Sequence, residues 1–190
     1  MKKIVLTFGL IAGAILSAVM LAVTVPFHDE MGLNAGFVVG YASMVLGFMS
    51  IFFGVRAYRD TVNGGTVRFG RALAVGLLIG AVGCACYTVT WEVVFFGFKP
   101  DFMTSYNAQV LEKERARGAT AEQIAHKKAE MDQFAAMYRN PAINAAMTFA
   151  EPLPVALLMA LVSAGVLSRR KRVAPQNEVI ASPQASASSA

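Results

Sequence analysis

Two carboxylates inside long apolar stretches are the residues whose type and position could do chemistry. Glu92 lies about 10 Å below Lys99 at a helical rise of about 1.5 Å per residue, and Glu151 recurs near the start of the last apolar run. An ionisable side chain at that depth in a membrane is costly and therefore marks a candidate proton or cation site. The chemistry suggested is the binding of a proton or a cation.

Small polar side chains and prolines accompany these carboxylates. Each carboxylate has a threonine or an asparagine on its own helix face, three to seven residues before it, and the second carboxylate is followed by two prolines. The prolines remove backbone N–H donors and must kink or unwind the helix, which frees carbonyl oxygens nearby. The candidate intramembrane polar site consists of Glu92, Glu151, Thr88, Thr148, Asn144, Pro152 and Pro154.

The depth of the two carboxylates predicts that they face each other across the third and fourth apolar helices. These helices are expected to be antiparallel neighbours, so their outer ends lie side by side. Each carboxylate should turn inward, because an isolated one facing lipid costs about 2 to 3 kcal/mol. Contact between two acids then requires a shared proton or cation, or a basic side chain such as Lys99 or Arg139 that reaches them.

Composition sets the fold class. The chain has 190 residues, of which 56% are hydrophobic and 15% charged, and the apolar residues gather into four runs. This pattern predicts an all-α, polytopic membrane protein in a single membrane domain, 1–172. The four transmembrane helices are expected at about 4–25, 35–55, 72–98 and 142–167.

Basic residues indicate the orientation in the membrane. Two lysines at the N-terminus, four arginines of the second loop and four basic residues after the last run make ten on one side, whereas the first loop, 26–34, has none. Both termini are therefore expected to be cytoplasmic. Topology accounts for the net charge of +5, so no nucleic-acid partner is expected.

A charged segment at about 101–140 predicts an extracytoplasmic helical hairpin between the third and fourth spans. Asp101 is expected to cap its first helix, Gly118 to end it, and Thr120 with Gln123 to form a capping box for the second. Apolar residues repeat at helical spacing on both helices, so they should fold against each other. The tail, 173–190, lacks apolar residues to order itself and is expected to be a disordered cytoplasmic segment.

Small residues predict close helix packing in the first three spans. They recur every four residues in the first span and every seven in the second, and the third has a pair four apart: Gly9, Gly13, Ser17, Gly40, Gly47, Gly54, Gly76 and Gly80. Cys84 and Cys86 point to different faces of a helix and are expected to be inert packing residues. These faces, or the hairpin, could also meet a protein partner or a second copy.

Several motifs resemble a known family. They are Lys2-Lys3-Ile4, Tyr58-Arg59-Asp60, Gly64-Gly65, Thr90-Trp91-Glu92, Pro100-Asp101-Phe102-Met103, Asn140-Pro141 and Glu151-Pro152-Leu153-Pro154. With them the chain resembles, up to about Arg172, small four-helix bacterial inner-membrane proteins catalogued as a domain of unknown function. The resemblance implies the four-span topology and brings no activity, cofactor or catalytic residue.

Two functions of different classes follow. In the first, the protein is a structural or accessory membrane component that contacts a partner through its hairpin. In the second, Glu92 and Glu151 with the freed carbonyls form the site of a small proton- or cation-coupled carrier. An enzyme is least favoured: no catalytic residue, metal ligand or cofactor is assigned, and His28 and His126 stand alone.

Overall fold

Helices form all the regular elements in the part of the chain that the computed structural model describes, residues 1–24 and 33–168. The predicted first loop and the tail, 173–190, lie outside the described residues. A π-helical turn, Val94–Phe98, extends the third helix. The α-helices are α1 (Lys2–Thr24), α2 (Leu33–Thr61), α3 (Phe69–Val93), α4 (Phe102–Ala116), α5 (Ala121–Tyr138), α6 (Pro141–Ala150) and α7 (Leu153–Leu167).

Four helical stretches are long and apolar enough to cross a membrane, as the four apolar runs predict. They are Lys2–Thr24, Gly36–Thr61, Phe69–Phe98 and Pro141–Leu167. The second stretch continues past its predicted end at residue 55, up to Thr61. In this extension, Arg59 Nε donates a 2.7 Å hydrogen bond to Asp60 Oδ1. The fourth is interrupted at Glu151 and Pro152, which separate α6 from α7 and confirm that the prolines break the helix.

Helix α3 lies at the centre of the bundle and packs against α1, α2, α6 and α7. Glycines of α1 bring it close to α3, because a Cβ built on Gly9 would lie 2.6 Å from Val82 Cβ, and one on Gly13 would collide with Cys86. Contacts this close leave no room for a side chain. The small-residue stripe of α1 therefore packs against α3, as predicted.

Ser17, the third member of that stripe, contacts α3 through a hydrogen bond. Its hydroxyl lies 2.7 Å from the Thr90 hydroxyl, one turn beyond the Gly13 contact. Thr90 also donates a 2.9 Å hydrogen bond to the Cys86 carbonyl of its own helix, so Ser17 is the donor between the two hydroxyls. Because residue numbers rise together along both helices, α1 and α3 run parallel.

Close packing on the other side of α3 joins it to α7. A Cβ on Gly76 would lie 3.0 Å from Ala160 Cβ, and one on Gly80 would lie 3.0 Å from Ala156 Cβ. Small residues thus face small residues across an interface between helices that run in opposite directions. Ala156 and Ala160 are almost fully buried there.

The glycines of α2 do not all share one packed face, contrary to the expectation from their spacing of seven. Gly47 lies against Leu16 and Gly54 against Ile79, whereas Gly40 has open space around its Cα. Gly40 belongs to the outer part of α2, where Phe37, Val38 and Tyr41 are exposed. Among the described residues, the N-terminal part of α2 therefore has fewer close neighbours than its C-terminal part.

The charged segment folds into the predicted pair of helices, α4 and α5. Gly118 adopts a φ of 85° at the turn, a conformation that favours glycine. The capping box of Thr120 and Gln123 is present, with hydrogen bonds of 2.9 and 3.3 Å. The expected cap at Asp101 is wrong: its side chain makes no capping hydrogen bond, because its φ and ψ of −92° and 7° lie outside the extended region that a capping residue normally adopts.

Candidate functional site

A directed chain of hydrogen bonds ties α3, α5 and α6 together. Trp91 Nε1 donates to the Tyr138 hydroxyl at 3.0 Å, and that hydroxyl lies 3.2 Å from Thr148 Oγ1. Thr148 donates in turn to Asn144 Oδ1 at 3.2 Å, and Asn144 Nδ2 donates to the Tyr138 carbonyl at 3.3 Å. Because the Thr148 proton is used on Asn144, Tyr138 donates to Thr148.

This network gives Asn144 and Thr148 an internal structural role. Asn144 is fully buried and Thr148 is 3% exposed, so each would be costly without a partner. Burial raises the pKa of the Tyr138 hydroxyl above its ordinary value, which keeps it protonated and able to donate. Asn144 and Thr148 of the candidate site therefore lie together, and their hydrogen bonds to Tyr138 hold the C-terminal end of α5 against the bundle.

Aromatic rings surround the same junction. Trp91 and Phe102 meet edge to face with ring centroids 4.9 Å apart, and Phe95 meets Tyr138 edge to face at 5.3 Å. Such pairs add to the free energy of burying their area. The base of the hairpin, where α3, α4 and α5 meet, is thus held by rings as well as by hydrogen bonds.

Glu151 does not turn inward as expected. Glu151 is exposed at the periphery of the bundle. Its Oε2 accepts a 3.4 Å hydrogen bond from the Tyr87 hydroxyl of α3. The neighbouring Pro152 is fully buried and begins the next helix. Adjacent residues of a helix point to different sides, so the proline takes the inner side of the break and the carboxylate is left outside.

Glu92 lies partly buried near the outer end of α3. Its Oε1 is buried and has no hydrogen-bond partner among the described residues. No hydrogen bond joins Glu92 to Glu151 within the described ranges, although both carboxylates act electrostatically on the Tyr138 hydroxyl. The predicted direct pairing of the two acids stays a prediction.

The remaining members of the candidate site lie apart. Thr88 is buried and donates a 2.9 Å hydrogen bond to the Cys84 carbonyl of its own helix, and Pro154 is exposed on α7. Sequence reasoning missed Tyr87 and Tyr138, the two hydroxyls that contact members of the site. The helical spacing of apolar residues in the second hairpin helix includes Tyr138, and only its terminal hydroxyl indicates a polar contact.

Metal ligands do not gather in the described part of the chain. Within residues 1–24 and 33–168, no group of three or more His, Cys, Asp or Glu side chains could hold a metal ion. Cys84 and Cys86 are free thiols, and Cys86 packs against Gly13. The titratable groups of interest are therefore the two separate carboxylates.

Fold and site together define a class: an all-α protein with four helices long and apolar enough to cross a membrane. Its polar side chains lie toward the end of the bundle that carries α4 and α5. The chain belongs to the family described as "Protein of unknown function (DUF4199)", whose model matches residues 7–169. This match confirms the resemblance to a domain of unknown function. Comparisons with curated proteins and with solved structures give no significant match.

Proposed function

We propose that the protein is an accessory component of a bacterial inner membrane that binds a protein partner through the exposed apolar face of α5. Both termini are placed in the cytoplasm and the α4–α5 hairpin outside it, because the ten basic residues counted above gather on one side. The membrane spans then serve to hold α5 at a fixed place on the outer surface.

The observation that supports this proposal is that α5 has no buried residue. Its apolar side chains recur at helical spacing, but Phe134 is 38% exposed and Met137 is 45% exposed. Apolar side chains grouped on one helix face in water are a feature of docking surfaces. The hydrogen bonds of Tyr138 hold the C-terminal end of α5, so the exposed side chains of Phe134 and Met137 lie at a fixed position.

Charge favours a protein over the lipid surface as the occupant of this face. Helix α5 carries two lysines and three acids, so its formal charge is −1. Helices that lie on anionic lipid are usually rich in lysine and arginine. The charges of α5 are also paired with each other, as in Lys128 with Asp132 at 2.5 Å and Lys127 with Glu130 at 3.5 Å.

Site-specific photocrosslinking in intact cells of the native host tests the proposal. A benzophenone side chain at Phe134 should give a crosslinked product of one defined mass, and the same group at Ala125, on the opposite side of α5, should not. Phe134→Lys should abolish the product formed from a benzophenone at Met137. Equal crosslinking from both sides, or crosslinking to lipid alone, would contradict the proposal.

A second candidate is a small proton- or cation-coupled carrier that uses Glu92 and Glu151. The unpartnered, buried Oε1 of Glu92 favours it, because a buried carboxylate oxygen needs a proton, a donor or a cation. The two prolines also favour a cation site, because they have no backbone N–H and leave carbonyl oxygens of α6 without helical hydrogen-bond donors.

Flux measurements in proteoliposomes test the carrier. Proton or sodium flux through the wild-type protein should exceed that through empty vesicles, and Glu92→Gln and Glu151→Gln should each remove the excess. Cysteines at positions 92 and 151, in a protein lacking Cys84 and Cys86, should crosslink with a short reagent if the acids face each other. Flux equal to that of empty vesicles would exclude this candidate.

A further inference from the structure

The exposed carboxylate of Glu151 lies deep within the membrane-spanning part of the bundle. Its partner Tyr87 is about 24 Å along α3 from Arg71 and about 18 Å from Lys99, at about 1.5 Å per residue. Tyr87 therefore lies near the middle of that span. A carboxylate at this depth normally faces the interior of a bundle or a water-filled cavity, whereas Glu151 faces out.

No positive charge of the described chain lies at the level of Glu151. The span from Pro141 to Leu167 contains no lysine or arginine. The third span is flanked by Arg71 near its start and Lys99 just after its end, and both are too far along the helix for their side chains to reach Glu151. No ion pair to Glu151 is found in residues 1–24 and 33–168. Its one hydrogen bond, from Tyr87, is long at 3.4 Å.

Among the described residues, Glu151 is exposed on the side of the bundle where α2 and α6 are neighbours without close packing. Helix α2 packs against α7 but makes no comparable contact with α6 in the described residues. On its N-terminal part Phe37 is 59% exposed and Tyr41 is 50% exposed. Ile51 of α2 lies beside Gly76 and Gly80 of α3, and about ten residues along each helix from this contact, about 15 Å, bring Tyr41 near the level of Tyr87. In the part of the chain that the structure describes, three helices thus border a surface that has one carboxylate, two phenols and apolar side chains.

We propose that Glu151, Tyr87 and Tyr41 bind a lipophilic organic cation, which enters between α2 and α6 from the membrane. The carboxylate supplies the opposite charge, the tyrosine rings supply cation–π attraction, and the exposed apolar residues of α2 contact the apolar body of the cation. Such a cation is weakly hydrated and already partitions into the membrane. This proposal does not depend on whether α5 binds a partner.

Other occupants fit these side chains less well. A small inorganic cation such as Na⁺ or Ca²⁺ needs several oxygen ligands around it, and this open surface provides one carboxylate and two phenols. A second copy of the chain has no lysine or arginine at this depth in its described spans, so it could not neutralise Glu151. A lipophilic organic cation neutralises the charge of Glu151 and does not need several oxygen ligands around it.

Binding of tetraphenylphosphonium to the full-length protein in detergent micelles tests the site. Isothermal titration calorimetry should show saturable binding by the wild type, which Glu151→Gln should weaken by about tenfold or more. Tyr41→Leu should weaken it by about two- to fivefold, as the loss of an exposed cation–π contact requires. Glu122→Gln, the same change on the exposed surface of α5, should leave the affinity unchanged.

Two controls keep the result interpretable. Size-exclusion chromatography shows whether each variant stays monodisperse, and Glu151→Asp, which keeps the charge, should bind more tightly than Glu151→Gln. If Glu151→Gln does not fold, Tyr41→Leu and Tyr87→Leu, which each remove an aromatic ring, provide the test by weakening binding from the other two helices. Absence of saturable binding by the wild type, or equal affinities of the wild type and the folded variants, would overturn the proposal.

Discussion

Replacing the glycines of α1 with alanine tests the packing of α1 on α3. A methyl group on Gly9 would lie 2.6 Å from Val82 Cβ and 3.2 Å from the Ile79 carbonyl, whereas ordinary contact lies at 3.4–4 Å. The helices would have to separate locally by about 1 Å to restore that contact. Overpacking of this kind costs about 1 to 3 kcal/mol. Gly13→Ala meets Cys86 even more closely and should cost at least as much.

Matched controls come from glycines with open surroundings. Gly40 in α2 and Gly165 in α7 have no described residue within 4 Å of a built Cβ. Alanine there should be neutral or stabilise the protein by up to about 1 kcal/mol, because alanine has the higher helix propensity. The clash and control variants should thus differ by about 1 to 4 kcal/mol.

Unfolding of the detergent-solubilised protein by increasing fractions of a denaturing detergent measures these differences. The same variants can be ranked by thermal loss of the monodisperse peak. Gly9→Ala and Gly13→Ala should unfold first, and Gly40→Ala and Gly165→Ala should match or exceed the wild type. Equal stability of all four variants would refute the close contact between α1 and α3.

Three further predictions concern single contacts. Tyr138→Phe should destabilise the junction of α3, α5 and α6 by about 1 to 3 kcal/mol, because the Trp91 indole N–H loses its acceptor, whereas Tyr106→Phe should change little. Hydrogen exchange of the α5 amides measures this difference, and equal exchange in both variants would contradict the network. Thr120→Ala should speed exchange in the first turn of α5 through loss of about 0.5 to 2 kcal/mol, without changing the spans. Gly80→Leu should lower the stability of the protein in detergent more than Ala74→Leu does, because Gly80 faces Ala156 at close range and Ala74 is exposed. Equal stability of the two leucine variants would contradict the contact between α3 and α7.

The helices could be predicted from the sequence because their signals are local. Apolar runs longer than a bilayer requires indicate the four spans, and the capping box of Thr120 and Gln123 needs only four consecutive residues. The break between α6 and α7 follows from the chemistry of Pro152. Each of these features is decided by residues that follow one another in the chain.

The contacts of the candidate site could not be predicted, because they join residues far apart in the chain. Tyr87 and Glu151 are 64 residues apart, and Trp91 and Tyr138 are 47 apart. Whether Glu151 faces inward depends on which side of the helix break Pro152 occupies, and periodicity does not specify that. Likewise the spacing of Gly40 and Gly47 is regular, but only Gly47 has a neighbouring helix at close range.

The central claim, a four-span protein that presents the α4–α5 hairpin outside the cytoplasm, is tested most directly by reporter fusions. A reporter that is active only outside the cytoplasm, inserted at Gly118, should be active, whereas fusions at Gly64 or after Arg172 should be inactive. Activity at Gly64 and after Arg172, with none at Gly118, would reverse the orientation and contradict the proposal that α5 meets its partner on the outer surface.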